Sequence, residues 1–287
     1  MDDDGTSTKS DEAYTRKRVV LITGCSSGIG QATAEAFLDE DWQVVATARD
    51  LNTIADLAEQ GCRTRSLDVT NGEQVARLVE ETIDDLGAID CLVNNAGYGQ
   101  KGPIEDISPA DLHRQFDVNV YGPHRLIRAV LPHMRAQGEG RIVNVSSIQG
   151  LVSFAGTGVY AGSKHALEAM TEALRTEVGP LGIDVSLVEP GPVETAFDDR
   201  AMAELPVDRT LDYEWLYKLH EDSQYLGGVS PLASPPSEVA DAIVHAATCP
   251  GPQARYPVGP VARYGRFARF LPERIRDLGL RVLRKVS

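Results

Sequence analysis

The chain has 287 residues, of which 42% are hydrophobic and 26 are glycine, and a formal net charge of -14 at pH 7. That apolar content excludes global disorder, and a chain of this length most simply forms one α/β domain. The acidic balance excludes nucleic acid as a main partner, because binding phosphate backbones takes a clustered cationic surface. Residues 1–17 are acidic and polar, lack a signal peptide's apolar centre, and are expected to form a disordered tail. From Arg18 short apolar β-branched runs alternate with longer segments of helical period, the signature of βαβ units. Strands are predicted at 19–23, 43–48, 64–67, 91–94, 141–146 and 184–189, with a seventh near 254–258. Helices are predicted at 30–39, 51–60, 72–86, 109–135 and 157–178. Right-handed crossovers then give a Rossmann-type, doubly wound α/β fold: seven parallel strands with helices on both faces.

Two later segments break the rhythm of residues 18–287, otherwise read as a single domain. Residues 194–236 carry Phe197, Tyr213, Trp215, Tyr217 and Tyr225 and close on Ser234-Pro235-Pro236. Such an insertion is either a lid over a binding site or a surface helix pair with packed aromatics. Residues 263–287 interleave arginine with Phe267, Phe270, Leu271, Ile275, Leu278, Val282 and Leu283. This basic amphipathic stretch is expected to dock on its own domain or a partner subunit, contact with an anionic membrane surface being the less favoured alternative. Cys25, Cys62, Cys91 and Cys249 lie far apart without a C-x-x-C pair, so reduced thiols and no metal site are expected. No apolar run approaches the roughly 20 residues of a membrane span, and a cytoplasmic protein is expected.

The first predicted strand runs into Thr23-Gly24-Cys25-Ser26-Ser27-Gly28-Ile29-Gly30 and then a helix. Glycines at such a turn let the backbone approach a pyrophosphate, whose charge meets the free N–H groups and dipole of the helix N-terminus. Gly24, Gly28 and Gly30 follow G-x-x-x-G-x-G spacing, so Ser26, Ser27 and Ile29 fall inside the cradle. After the second strand an NAD site places an acid for the ribose, whereas a 2′-phosphate wants a cation. Ala48 stands at that place and Arg49 follows, which favours NADP(H) over NAD(H). Asp50 is the competing ribose ligand if the strand ends later. Asp68 and Val69 follow the third strand and Asn94-Asn95-Ala96-Gly97 the fourth, at the edge where ligands bind in open α/β sheets.

Tyr160 and Lys164 are one helical turn apart, so phenol and ammonium share a face. A fixed cation favours phenolate and is expected to pull the tyrosine down toward the working range of a general acid or base. Ser147 lies thirteen positions earlier, at a strand end, with Ser146 as its rival.

In order and spacing, residues 23–30, 94–97, Asn119, Ser147, Tyr160, Lys164 and Pro190-Gly191 resemble the short-chain dehydrogenase/reductase family in its compact form, over about residues 18–261. The glycine motif together with Ala-Thr-Ala-Arg-Asp-Leu looks like the branch containing hydroxysteroid and retinol dehydrogenases. The resemblance implies that Tyr160 gives or takes a proton at the substrate oxygen, Ser147 hydrogen-bonds that oxygen, and Lys164 holds the nicotinamide ribose. It implies that Asn119 holds a water linking Lys164 to solvent, and that Val193 and Thr195 grip the carboxamide beside Pro190 and Gly191. Asp68 and Val69 would touch the adenine, and Asn95, Ala96 and Gly97 would line the cofactor cleft. The implied substrate is a small alcohol or carbonyl compound, lipophilic if Phe197, Tyr213, Trp215 and Tyr217 line a pocket. The implied assembly is a homodimer or homotetramer through the helices of Asn119 and Tyr160. A non-catalytic NADP-sensing or scaffold protein and a sugar-nucleotide epimerase are the other readings of the same fold.

Overall fold

In the computed structural model, residues 16–225, 232–272 and 274 are described. The β-branched runs form β1 (Val19–Thr23), β2 (Gln43–Ala48), β3 (Arg63–Ser66), β4 (Cys91–Asn94), β5 (Gly140–Val145), β6 (Ile183–Pro190) and β7 (Arg255–Val258). They make one parallel sheet of order β3-β2-β1-β4-β5-β6-β7. The order reverses between β1 and β4, which opens a crevice at the carboxyl ends of the strands.

Side chains alternate across each strand, so neighbours in β1 feed opposite cores. Val20 and Ile22 pack with Phe37 of α1 (Gly28–Asp39) and Val239 and Ile243 of α9 (Pro236–Thr248). Val19 and Leu21 pack with Leu78 of α3 (Gly72–Leu86), Val130 and Met134 of α5 (Gly122–Gln137) and Val178 of α6 (Gly158–Val178). Each fully buried Leu or Ile contributes about 1.5–3 kcal/mol, so loss of one such side chain from β1 loosens one layer and not the other.

Several elements depart from the pattern reading. The helix predicted at 51–60 is a 3₁₀ turn, Leu51–Ile54, followed by α2 (Ala55–Glu59), because the Asp50 side chain caps the tighter turn. β3 sits one residue earlier than predicted, as an edge strand whose arginines face outward. The helix predicted at 109–135 is interrupted. α4 (Pro109–Phe116) ends in a π-helical turn, Asp117–Tyr121, before α5 begins. Pro123 has no N–H for the carbonyl of Asn119, so regular i to i-4 bonding cannot continue through this point. The Gly122 N–H bonds instead to Asp117 O.

The insertion contains α7 (Phe197–Ala203), a 3₁₀ turn at Leu211–Tyr213 and α8 (Glu214–Tyr225). Helix α9, absent from the predicted set, starts with Pro236 at its first position, where the missing N–H costs nothing. α10 (Gly259–Gly265) and a 3₁₀ turn at Arg266–Phe270 begin the basic stretch. Its remainder past 272, Arg274 apart, lies outside the described residues, as does the tail before Arg16. No described helix is long and apolar enough to cross a membrane. All four cysteines are free thiols. Burial pushes Cys25 up to about 12 and Cys62 up to about 11, so neither is a ready nucleophile.

Candidate active site

The crevice is a cleft of about 960 Å³ above the carboxyl ends of the strands, lined at one end by the glycine turn and at the other by Tyr160. At the glycine end Gly24 and Gly28 have φ of 75° and 59°, and a Cβ on Gly30 would stand 2.2 Å from Gly24 O. Only glycine fits these places. Ser27 caps α1 without a side-chain bond to the helix, so the first N–H groups face the cleft unclaimed by a capping oxygen. Ser26 and Ile29 also line it. Asn95 fastens this turn to β4: its Nδ2 donates to Thr23 O at 2.9 Å and Gly24 O at 3.0 Å. The backbone N–H groups of Asn95 and Ala96 both donate to Thr23 Oγ1, each at 3.0 Å.

At the end of β2, Ala48 is buried while Arg49 is exposed on the cleft wall. The Asp50 carboxylate accepts from Asn52 and is turned into its own 3₁₀ turn, off the cleft lining. Asp68 reaches the cleft with one oxygen already held by Thr70, whose N–H and hydroxyl donate at 2.9 and 2.8 Å; Val69 lies beside it. An anionic group bearing a nucleotide therefore meets a backbone cradle and a cation here, and the residues present fit a dinucleotide.

At the other end Tyr160 and Lys164 rise from the first turns of α6, and Ser147 follows β5 as the cap of the 3₁₀ turn Ile148–Gly150. The Ser147 hydroxyl accepts from the Gln149 N–H at 3.1 Å. Its neighbour Ser146 also touches the cleft, but its Oγ is buried without a described partner. Lys164 is buried, and its Nζ donates to Val145 O at 2.8 Å and stands 5.9 Å from the Tyr160 ring centre. The ammonium is thus turned to the strand end. The expected lowering of Tyr160 is not what this geometry produces. Burial pushes the phenol up to about 12, and the Ser147 hydroxyl pulls the other way. Burial pulls Lys164 down to about 8, opposed by Glu168. In both cases desolvation outweighs what opposes it, the Ser147 hydrogen bond at Tyr160 and the Glu168 charge at Lys164.

Asn119 sits in the π-helical turn, 1% exposed. Its amide donates to Tyr98 O at 2.9 Å and to Ser163 Oγ at 3.2 Å, and its Oδ1 accepts from the Tyr98 N–H at 3.1 Å. Its side chain therefore ties the loop after β4 to α6. A Cβ on Gly97 would stand 3.2 Å from that Oδ1. Pro190 ends β6, and Gly191, Val193 and Thr195 follow it along the cleft; Thr195 packs so closely on Gly28 that a Cβ there would meet its Cγ2 at 2.8 Å.

The aromatics of the insertion divide. Phe197 lies 5.6 Å from the Tyr160 ring, centre to centre, and lines the cleft with Phe154. Tyr213, Trp215 and Tyr217 are not among its lining residues. Tyr217 is buried and donates to Asp106 at 2.6 Å, and Tyr213 donates to Glu105 at 2.7 Å; both pin the insertion to the 3₁₀ turn Ile104–Asp106. The side chain of Tyr225 lies outside the described set. Tyr98, Phe154, Arg200 and Glu204 line the cleft without having been singled out from the sequence, because nothing in their spacing marks them. Arg200 donates to the Ser27 hydroxyl, and Lys101 pairs with Asp198 at 2.8 Å, so α7 straps across the cleft. Among the described residues no cluster of His, Cys, Asp or Glu is arranged to hold a metal.

Comparison with known proteins matches residues 18–205 to the short chain dehydrogenase family. The chain is 37% identical over 279 residues to the uncharacterized oxidoreductase YbbO of Escherichia coli, covering 94% of this chain and 97% of that one. It is 36% identical to human 17-beta-hydroxysteroid dehydrogenase type 1, covering 84% and 77% of the two chains. Human retinol dehydrogenase 8 is 41% identical over 66% of this chain and 63% of its own. Among solved structures, a short-chain dehydrogenase from Streptomyces avermitilis superimposes with a TM-score of 0.80 at 33% identity, over 95% and 98% of the chains. A metagenomic short-chain oxidoreductase in complex with NADP gives 0.66 at 26% identity, over 84% and 96%. A short chain dehydrogenase/reductase from Burkholderia phymatum in complex with NAD gives 0.75 at 26%, over 93% and 95%.

Proposed function

The chain belongs to the short-chain dehydrogenase family, and from that premise we propose that it is an NADP(H)-dependent oxidoreductase interconverting a lipophilic alcohol and its aldehyde or ketone. The observation that carries this reading is the convergence of Ser147, Tyr160 and Lys164 on one end of a cleft whose other end is a glycine cradle at a helix N-terminus. When bound, the dinucleotide supplies or takes the hydride.

The chain's own groups supply the rest. The turn from Gly24 to Gly30 and the start of α1 hold the pyrophosphate; Asp68, Val69 and the Asn95-Ala96-Gly97 strand end flank the adenosine half. Pro190, Gly191, Val193 and Thr195 orient the nicotinamide half. Ser147 donates to the substrate oxygen and Tyr160 passes it a proton as negative charge builds there, a preorganised arrangement that stabilises the alkoxide as it forms. A phenol held up near 12 in the free cleft remains protonated at neutral pH, the form needed to donate during carbonyl reduction. Lys164 supplies the cation beside it, and Asn119 fixes the loop after β4 to the helix that carries Lys164.

Arg49 supports NADP(H) over NAD(H). It stands on the cleft wall at the end of β2 as a cation available to a 2′-phosphate, while the rival Asp50 spends its carboxylate on Asn52. The two solved relatives, one with NADP and one with NAD, leave this choice to the chain's own residues. Phe154, Phe197 and Ile148 at the Tyr160 end support an apolar substrate, in keeping with the hydroxysteroid and retinol named for two relatives. The same reading includes a cytoplasmic location and a homodimer or homotetramer built through the helical segments of Asn119 and Tyr160; light scattering distinguishes the two assemblies.

The test is NADPH oxidation on a panel of steroids, retinoids, alicyclic ketones and small sugars, run beside Tyr160→Phe. Activity on the apolar members, lost in the variant, is the expected result. Preference for sugars removes the lipophilic assignment; dinucleotide binding without turnover on any carbonyl makes the protein a binder on this fold.

A further inference from the structure

Helix α6 continues the face of Tyr160 and Lys164 with two acids at the same spacing, Glu168 and Glu172. Glu168 is 4% exposed. It pairs with Arg255 of β7, and the same guanidinium meets Glu189 of β6 and Glu172. Glu189 is 1% exposed. One guanidinium thus faces three carboxyl groups and is shared among them.

Glu168 is also only half used. Its Oε1 and the Ser146 Oγ are buried without a hydrogen-bond partner among the described residues. Both border Gly150: a Cβ there would stand 2.7 Å from Ser146 Oγ and 3.1 Å from Glu168 Oε1. The Lys164 ammonium is bonded to Val145 O, one residue before Ser146. The charged groups around Glu168 are therefore Lys164 and Glu172 on its own helix, Arg255 from β7 and Glu189 from β6, with Arg266 of the 3₁₀ turn after α10 acting on Glu189.

We propose that Glu168 is a positioning residue that keeps Lys164 protonated in its buried place and so sets the pH range over which the Tyr160 face works. The kinetic part rests on the oxidoreductase reading; the electrostatic part stands on α6 and its neighbours alone. Burial disfavours an ammonium, and a carboxylate one turn away, incompletely neutralised by a shared arginine, restores part of the loss. Glu168→Gln removes that charge at nearly constant shape and leaves Arg255 with Glu189 and Glu172.

The chain has six lysines, few enough for each to be followed by ¹³C NMR after labelling at Cε. Lys164 is identified as the signal lost in Lys164→Arg. In the free protein, the Lys164 midpoint of folded Glu168→Gln is expected about one pH unit below wild type, the scale of a single close charge. Glu172→Gln, at a side chain 61% exposed, is expected to move it much less. A midpoint that stays or rises in folded Glu168→Gln overturns the proposal. If that variant does not fold, Arg255→Met decides: loss of the competing cation must raise the midpoint, and an unchanged or lower value overturns the idea. In carbonyl reduction the basic limb of kcat/KM is expected to move down with the lysine in Glu168→Gln. Absence of any carbonyl reduction sinks the oxidoreductase reading, while the lysine titration still decides the role of Glu168.

Discussion

Asp50 accepts two hydrogen bonds from Asn52, one from the backbone N–H and one from the side-chain amide, both at 3.0 Å. The acid nearest the end of β2 is thereby committed to a turn, and of the two charged residues that follow this strand Arg49 is the one on the cleft wall. Hydrogen bonds to a charged group contribute about 1.5–3 kcal/mol, so Arg49→Ala is expected to weaken NADPH binding by about 10- to 100-fold. NADH binding should hardly change. Fluorescence titration of the two dinucleotides checks this, and equal losses for both would remove the phosphate role.

Arg200 reaches from α7 to the Ser27 hydroxyl, holding a cation over the start of α1 where an anion is favoured. Arg200→Ala is expected to raise the dissociation constant of either dinucleotide about tenfold, the effect of one charge-assisted contact. Because the pyrophosphate is common to both, the loss should be the same for NADPH and NADH, in contrast to Arg49→Ala. Calorimetry with each dinucleotide separates the two arginines.

Tyr160→Phe keeps the ring that packs on Phe197 and removes only the hydroxyl. Turnover is expected to fall by about 10²- to 10⁴-fold, the span of a general acid's contribution, with NADPH affinity nearly unchanged. Steady-state rates and a binding titration on one preparation check both halves.

The burial of Lys164 ties stability to pH. The unfolded chain keeps this proton up to about 10.5, whereas the folded protein keeps it only to about 8. The unfolded state therefore binds more protons between these values, and the cost of burying the lysine is fully present below pH 8 and fades as pH rises to 10.5. The stability of Lys164→Met relative to wild type should be constant below pH 8 and then fall as pH rises. Urea unfolding of the free protein at pH 6.5, 8 and 9.5 measures the difference; a stability of the variant relative to wild type that rises with pH contradicts it.

Gly30→Ala places a methyl group 2.2 Å from Gly24 O and 2.5 Å from the Asn95 amide. The backbone must move, at about 1–3 kcal/mol for overpacking, and the movement opens the turn that holds the pyrophosphate. A lowered Tm with loss of dinucleotide binding is expected, whereas Gly72→Ala, with nothing within 4 Å, should affect neither.

The parts legible in sequence were those decided by local pattern. β1, β2 and β4 lie where their apolar runs put them, since strands covered on both faces show continuous hydrophobicity. β3 was displaced by one residue because an edge strand of Arg and Ser carries no such run. The i, i+4 pair of Tyr160 and Lys164 and the glycine turn were visible for the same local reason. Three things were not. The direction of the Tyr160 shift depends on burial, which a motif does not encode. Tyr213 and Tyr217 anchor the insertion through Glu105 and Asp106, more than a hundred positions away. The meeting of Glu168 with Arg255 spans 87 positions and two elements, so no spacing rule reveals it.

The wide turn between α4 and α5 carries one residue more than regular winding allows. With i to i-5 bonding the turn takes about one residue more than an α-helical turn for nearly the same arc, so the extra position is absorbed locally and Gln115 still faces the Gln100 N–H, at 2.7 Å. Deleting a single residue from Asp117–Tyr121 would take away the widened winding from which Asn119 reaches Tyr98 and Ser163, while Pro123 would still bar regular bonding there. Length in this segment is thus tied to the reach of one amide: shortening it is expected to free the loop after β4 and to leave α4 and α5 facing as before.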